Sequence, residues 1–268
     1  MTEPAVELQH VTKEFYPVQN LNVGVKQLML RPLHLRRMAR NSRFVAVDDV
    51  SFAVASGETF GLLGRNGAGK STLLAMIGGI LRPTRGAVAV RGRIAPLLEI
   101  GVGFHHDLTG IENAIMNGVL MGLRRHEVEE RLEQIFEFAG VIEFAAQPLK
   151  TYSSGMQARL GFAIAVHTDP DVLLVDEVLA VGDAAFQEKC FERIAALRAG
   201  GVTILFVSHD VRTVSRVCDR AAWIDGGRVR EIGPAERVAE RYHTELLGEK
   251  QSRSAVDFLA RTRAAADA

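Results

Sequence analysis

Val6–Val11 and Phe44–Val54 alternate apolar and polar side chains, the two-residue period of strands with one buried face. Thr59–Leu63 is an apolar strand that runs into a glycine-rich turn, and the apolar positions beyond predict a helix from Gly69 to Leu81. Gly86–Leu98 reads as two more short strands. From Thr109 to Val166 the period lengthens, and Val128, Leu132, Ile135, Phe136 and Ala139 make one apolar face at helical spacing. The strand pattern returns at Val172–Val175, followed by a helix at Ala184–Arg198 and a strand at Val202–Val207. Ala221–Asp225 and Arg228–Ile232 close the series, joined by a Gly-Gly turn suited to a hairpin.

Strands alternating with helices predict an α/β fold on a mostly parallel sheet, with the helical stretch as an insertion. The expected organisation is one domain over 5–245, with a helical subdomain at about 105–166 and a short tail over 246–268. No internal repeat is present, so the chain carries one copy of this unit.

Composition narrows the functional classes. The chain has 268 residues, 47% hydrophobic, with 32 basic and 32 acidic side chains, so no global charge argues for nucleic acid. Cys190 and Cys218 are too few for a disulfide framework and have no metal-ligand spacing nearby, which reads as packing in a reducing compartment. The longest uncharged apolar stretches fall far short of the roughly 20 residues a bilayer requires. The first residues lack the basic-then-apolar order of a signal peptide. If a membrane matters, a partner supplies the spans. His105 and His106 have no third or fourth ligand at metal spacing and read as surface loop.

The candidate chemistry begins at Gly64, Arg65, Asn66, Gly67, Ala68, Gly69, Lys70, Ser71 and Thr72, which fit G-x-x-x-x-G-K-[ST] between a strand and a helix. Glycines let backbone N–H groups curl around a phosphate chain, and the helix N-terminus adds positive potential. Lys70 is placed to neutralise terminal phosphates and Ser71 to ligate Mg²⁺. The strand at Val172–Val175 delivers Asp176 and Glu177 to the same sheet edge. Asp176 is suited to the Mg²⁺ shell and Glu177 to orienting or deprotonating the attacking water of a phosphoryl transfer. His209 follows the next strand, expected beside the one bearing Asp176, within reach of the γ-phosphate.

Tyr152-Ser153-Ser154-Gly155-Met156-Gln157, ahead of the Asp176–Glu177 strand, resembles in variant form the signature sequence of ATP-binding-cassette proteins. That resemblance covers about residues 5–240. It implies a P-loop (RecA-like) core, an antiparallel β subdomain and an inserted helical signature subdomain. It also implies ATP hydrolysis coupled to transport, with Ser153, Ser154, Gly155 and Met156 contacting the ATP held by a second copy. One loop and one signature per chain then imply a homodimer with two ATP molecules. The likeness further implies two integral membrane permease subunits and a position at the cytoplasmic face of the inner membrane. Asp183 matches the family's subunit-coupling Asp, and Phe15 the aromatic ring that stacks on adenine, a contact worth roughly 1–3 kcal/mol.

Three segments resemble the polysaccharide-export branch, whose cargo is a lipid-linked glycan such as O-antigen, capsule, galactan or teichoic acid. They are Leu97–His105, the Tyr-Ser-Ser-Gly-Met variant, and Asp176–Asp183. Glu99, in the loop implied to contact the membrane subunit, stands where the family usually offers Mg²⁺ a Gln. The basic insertion over 17–43 also resembles one in that branch, and is expected near anionic headgroups or pyrophosphate-linked lipid. Drug or small-molecule efflux, and a soluble cassette in translation or DNA maintenance, are the alternatives. Tandem cassettes or long coiled coils would mark the soluble class, and neither is present.

Overall fold

The computed structural model describes residues 3–16, 43–97, 101, 103–176, 182–208 and 210–247. Glu99, Glu177, His209, nearly all of the basic insertion and the segment beyond 247 lie outside the described residues.

Strand β1 (Val6–Phe15) is the centre of a three-stranded antiparallel sheet, flanked by β2 (Phe44–Val54) and β4 (Arg85–Val90). The β1–β2 ladder loses register between Leu8 and Val11, and His10 and Asp49 there adopt left-handed backbone angles (φ 49° and 54°). The strict two-residue alternation breaks at the same place, as a bulge requires.

The second sheet runs β5-β6-β7-β3-β8-β9. Strands β3 (Thr59–Leu63), β5 (Ile94–Leu97), β6 (Val172–Val175), β7 (Thr203–Ser208) and β8 (Arg220–Asp225) are parallel to their neighbours, and β9 (Arg228–Pro234) returns antiparallel to β8. Every residue of β3, β6 and β7 is buried, because a parallel sheet has both faces covered. Alternate residues feed opposite cores. Leu173 and Val175 join Leu63, Phe162 and Phe186, while Val172 and Leu174 join Val6, Phe60 and Leu62. Gly226 and Gly227, both at positive φ, make the hairpin turn between β8 and β9.

Helix α1 (Lys70–Ile77) follows β3. It stops short of the expected Leu81 because Gly78 and Gly79 intervene. Gly79 turns left-handed (φ 75°), and the Ile80 N–H folds back onto the Ala75 carbonyl at 2.9 Å.

Helices α2 (Gly110–Leu120), α3 (Arg125–Glu129), α4 (Leu132–Ala139) and α5 (Ser154–Val166) form the helical insertion. Its own core holds Ile135, Phe136, Leu149, Tyr152, Leu160 and Ile164. Helix α5 serves two cores: Leu160, Ala163 and Ile164 pack into the insertion, and Phe162, Ala165 and Val166 into the parallel-sheet core.

Helix α6 (Ala184–Ala199) precedes β7, α7 (Val211–Val217) follows it, and a further helix, α8, covers 235–247. Tyr242 of α8 meets Trp223 edge-on at 5.6 Å. No counterpart of α8 was expected from the sequence. Among the described residues, no helix is long and apolar enough to cross a membrane.

Candidate nucleotide site

The turn after β3 is shaped by its glycines. A side chain on Gly69, which sits in the left-handed region (φ 102°), would strike the Ala46 carbonyl, and one on Gly64 would strike the Ile224 carbonyl. The loop therefore presses against β2 and β8. Gly69 opens α1 without a side-chain cap, leaving first-turn N–H groups for an outside acceptor.

Lys70 is buried and folds back over the loop, its Nζ donating to the Gly64 carbonyl at 2.7 Å and the Arg65 carbonyl at 3.0 Å. It lines a pocket of about 350 Å³ with Asn66, Ser71, Thr72, Asp176 and Phe44. A cation, a hydroxyl and a carboxylate thus meet around a volume that fits a phosphate chain.

Strand pairing explains how Asp176 arrives there. Strand β6 pairs in parallel with β7, which pairs with β3, so the C-terminal ends of all three point at the loop. The expected adjacency of the Asp176 strand and the strand before His209 is present: Val175 lies opposite Phe206. Asp210, just beyond, caps α7 by accepting from the N–H groups of Arg212 and Thr213.

The Ser153–Met156 segment lies elsewhere, on the helical insertion. Ser153 caps α5, its Oγ accepting from the Met156 N–H at 3.2 Å. Ser153 and Ser154 are exposed, and a side chain on Gly155 would find only Ser153 Oγ within 4 Å, at 3.9 Å. This helix N-terminus is open to an outside ligand. Tyr152 anchors it from below, buried, with its hydroxyl donating to the Phe144 carbonyl at 2.7 Å.

Asp183 caps α6, with Oδ1 accepting from the Phe186 N–H at 2.9 Å, while Oδ2 accepts from Arg159 Nη2 at 2.7 Å. The Arg159 guanidinium also lies 5.2 Å from the centre of the Phe186 ring. Residues of the signature helix and the start of α6 are therefore bonded within one chain. Phe15 ends β1, more than a third exposed, with the Lys13 ammonium 5.3 Å from its ring centre.

The family described as ABC transporter matches residues 47–180. An O-antigen export system ATP-binding protein of Klebsiella pneumoniae is 48% identical over 240 residues, which is 90% of this chain and 98% of the relative. The chain belongs to the ABC transporter family. A teichoic acids export ATP-binding protein of Listeria monocytogenes is 42% identical over 88% of this chain and 69% of its own length. Among solved structures, the ATP-binding subunit of an ABC transporter superposes with a TM-score of 0.69 at 24% identity, covering 89% of this chain and 93% of that one. A dimeric ATP-binding cassette in a post-hydrolysis state with ADP and phosphate gives 0.66 at 22% identity, covering 86% and 98%.

As a member of that family the chain is an ATP-binding ATPase, and its electrostatics suit the task. Burial pushes the Lys70 ammonium below its ordinary pKa, partly offset by Asp176, and burial pushes the Asp176 carboxyl above its own, partly offset by Lys70. Burial leaves each charge under-solvated, which a triphosphate and a divalent cation would compensate. By contrast, the Asp183 carboxyl is held below its usual range, first by the Phe186 N–H. The two cysteines are buried, and burial pushes both thiols up to about 12.

Two features of this cassette escaped the sequence. Phe44 lines the phosphate pocket, a role that depends on register across the basic insertion. Arg159 bridges to Asp183 across 24 positions, and only its place on the signature helix hinted at a function.

Proposed function

We propose that this chain powers export of a lipid-linked polysaccharide through a membrane permease, and that two copies close around two ATP molecules. The meeting of Lys70, Ser71 and Asp176 in one pocket carries the nucleotide reading. The likeness to O-antigen and teichoic acid export proteins over most of the chain supports the cargo class.

Lys70 and the loop N–H groups hold the β- and γ-phosphates, while Phe15 meets the base. Ser71 and Asp176 would hold Mg²⁺: a carboxylate already short of solvent beside a hydroxyl is a fitting oxygen set for a hard cation. The bound metal would neutralise charge on the phosphate chain. Glu177 orients the attacking water, and His209 contacts the γ-phosphate. Ser153, Ser154, Gly155 and Met156 of the second copy supply further donors to that phosphate through their exposed helix start. Asp183, bonded to Arg159, relays between the subunits.

A cleft of about 590 Å³ between the parallel sheet and the helical insertion supports the permease reading. Ile80 and Leu120 line it at 60% and 71% exposure, apolar surface that no described residue covers. We place the permease contact there. The chain would then sit at the cytoplasmic face of the inner membrane, held peripherally by two permease subunits. The basic segment over 17–43 would face the lipid headgroups.

Replacement of the chromosomal copy by a Lys70→Ala variant tests the function. Lipid-linked glycan should accumulate inside the cell and vanish from the surface. Normal surface glycan would contradict the proposal. A Leu120→Glu variant should bind ATP normally yet fail to co-purify with the polytopic partner.

A further inference from the structure

The nucleotide pocket has an aromatic wall that the phosphate motif does not explain. Phe15 and Phe44 are direct partners at the ends of β1 and β2, and residues directly opposite in an antiparallel pair project to the same face. Phe44 is 57% exposed and borders the same pocket as Lys70 and Ser71. Two residues further along β2, the Ala46 carbonyl is the surface against which Gly69 closes. The ring is therefore attached to the strand that backs the phosphate loop.

Glu14 fixes this arrangement. Its side chain is only 4% exposed and accepts an ion pair from Arg43 at 3.0 Å, one residue before Phe44, and another from Arg85 of β4 at 3.4 Å. The Tyr16 hydroxyl, one residue beyond Phe15, donates to the same carboxylate at 3.1 Å. The backbone on either side of the two rings is thus tied to one buried anion. A large apolar side chain left half open beside a phosphate site, and held there by ion pairs to one buried carboxylate, is a surface prepared for a flat apolar group.

We propose that Phe44 is a base-contacting residue, so that the purine of ATP rests against both Phe15 and Phe44, with Glu14 as the positioning residue that sets the pair. The inference deepens the nucleotide reading and rests on it. Phe15 is more than a third exposed, and Phe44 supplies the second contact nearer the phosphates.

The experiment compares binding of ATP and of inorganic tripolyphosphate, each with Mg²⁺, to the purified full chain by calorimetry. Tripolyphosphate engages the loop but has no base. Phe44→Ala should weaken ATP binding about five- to a hundredfold, the range for loss of one aromatic stack, and leave tripolyphosphate binding unchanged. Phe44→Trp should retain ATP binding, and Glu14→Gln should weaken ATP several-fold without affecting tripolyphosphate. ATP binding by Phe44→Ala equal to that of the unsubstituted chain overturns the inference. So does an equal loss of both ligands, which would make the ring a support of the loop. Phe15→Ala separates the two readings: if it alone weakens ATP, only the Phe44 proposal fails. If neither substitution matters, the base site itself is misplaced.

Discussion

At the scale of single residues, Lys70 and Asp176 line one pocket, and burial disfavours the charge of each. In the proposed function Lys70 is the cation that meets the phosphates, and truncating one partner of a buried charge pair costs roughly 2–5 kcal/mol. Lys70→Ala should therefore weaken ATP binding by about thirtyfold or more in equilibrium dialysis. Asp176 makes the complementary prediction in pH. Its folded pKa lies above the ordinary 3.8, so the native state binds the proton more tightly than the unfolded one. That contribution to stability is full below 3.8 and is lost as pH rises through the folded value. Asp176→Asn removes the titration. Without nucleotide, the melting temperature of the unsubstituted chain should fall relative to the Asn variant as pH rises from below 3.8 to neutrality. A difference independent of pH would refute the assignment of burial as the cause. The phosphate loop was legible because its glycine and lysine requirements are local to eight consecutive positions. Phe44 was not, because its meaning depends on facing Phe15 across the sheet.

Helices and strands carry the next set of consequences, and α5 is the element on which they converge. It packs on one side into the insertion and on the other into the parallel-sheet core, so the signature helix is held by both bodies at once. The Arg159–Asp183 bond ties the same helix to α6. Arg159→Met should lower the turnover number while leaving ATP affinity within about twofold, and Arg159→Lys should restore part of the loss. A fall in affinity with unchanged turnover would place Arg159 in binding instead. Ser153→Ala removes a helix cap and should cost about 1 kcal/mol in urea denaturation. The strands expected at Val172–Val175 and Val202–Val207 are present, the second shifted by one residue to Thr203–Ser208, because continuous apolar runs of that length fit buried parallel strands. The end of α1 was misjudged because Ile80 and Leu81 continue the apolar pattern while Gly78 and Gly79 break the backbone. Helix α8 lies beyond the expected elements, although Val238, Ala239, Tyr242 and Leu246 fall on one face, all packed against the core around Trp223.

For the whole molecule, the proposed function takes each nucleotide site to be built by two chains, one giving the loop and the other the signature. The loop residues line a pocket on the core, while Ser153 and Ser154 open outward from the insertion. In the proposed function a second copy supplies the other half, so that two chains close around two nucleotides. Glu177→Gln should slow hydrolysis by about a hundredfold or more, the usual contribution of a positioned base, and hold the closed state long enough to observe. Sedimentation of that variant with ATP and Mg²⁺ measures the claim directly. The account predicts a species of twice the 29.3 kDa chain mass, carrying two ATP molecules and reverting to single chains when Gly155→Asp is added. A Glu177→Gln chain saturated with ATP that sediments as a monomer would contradict it.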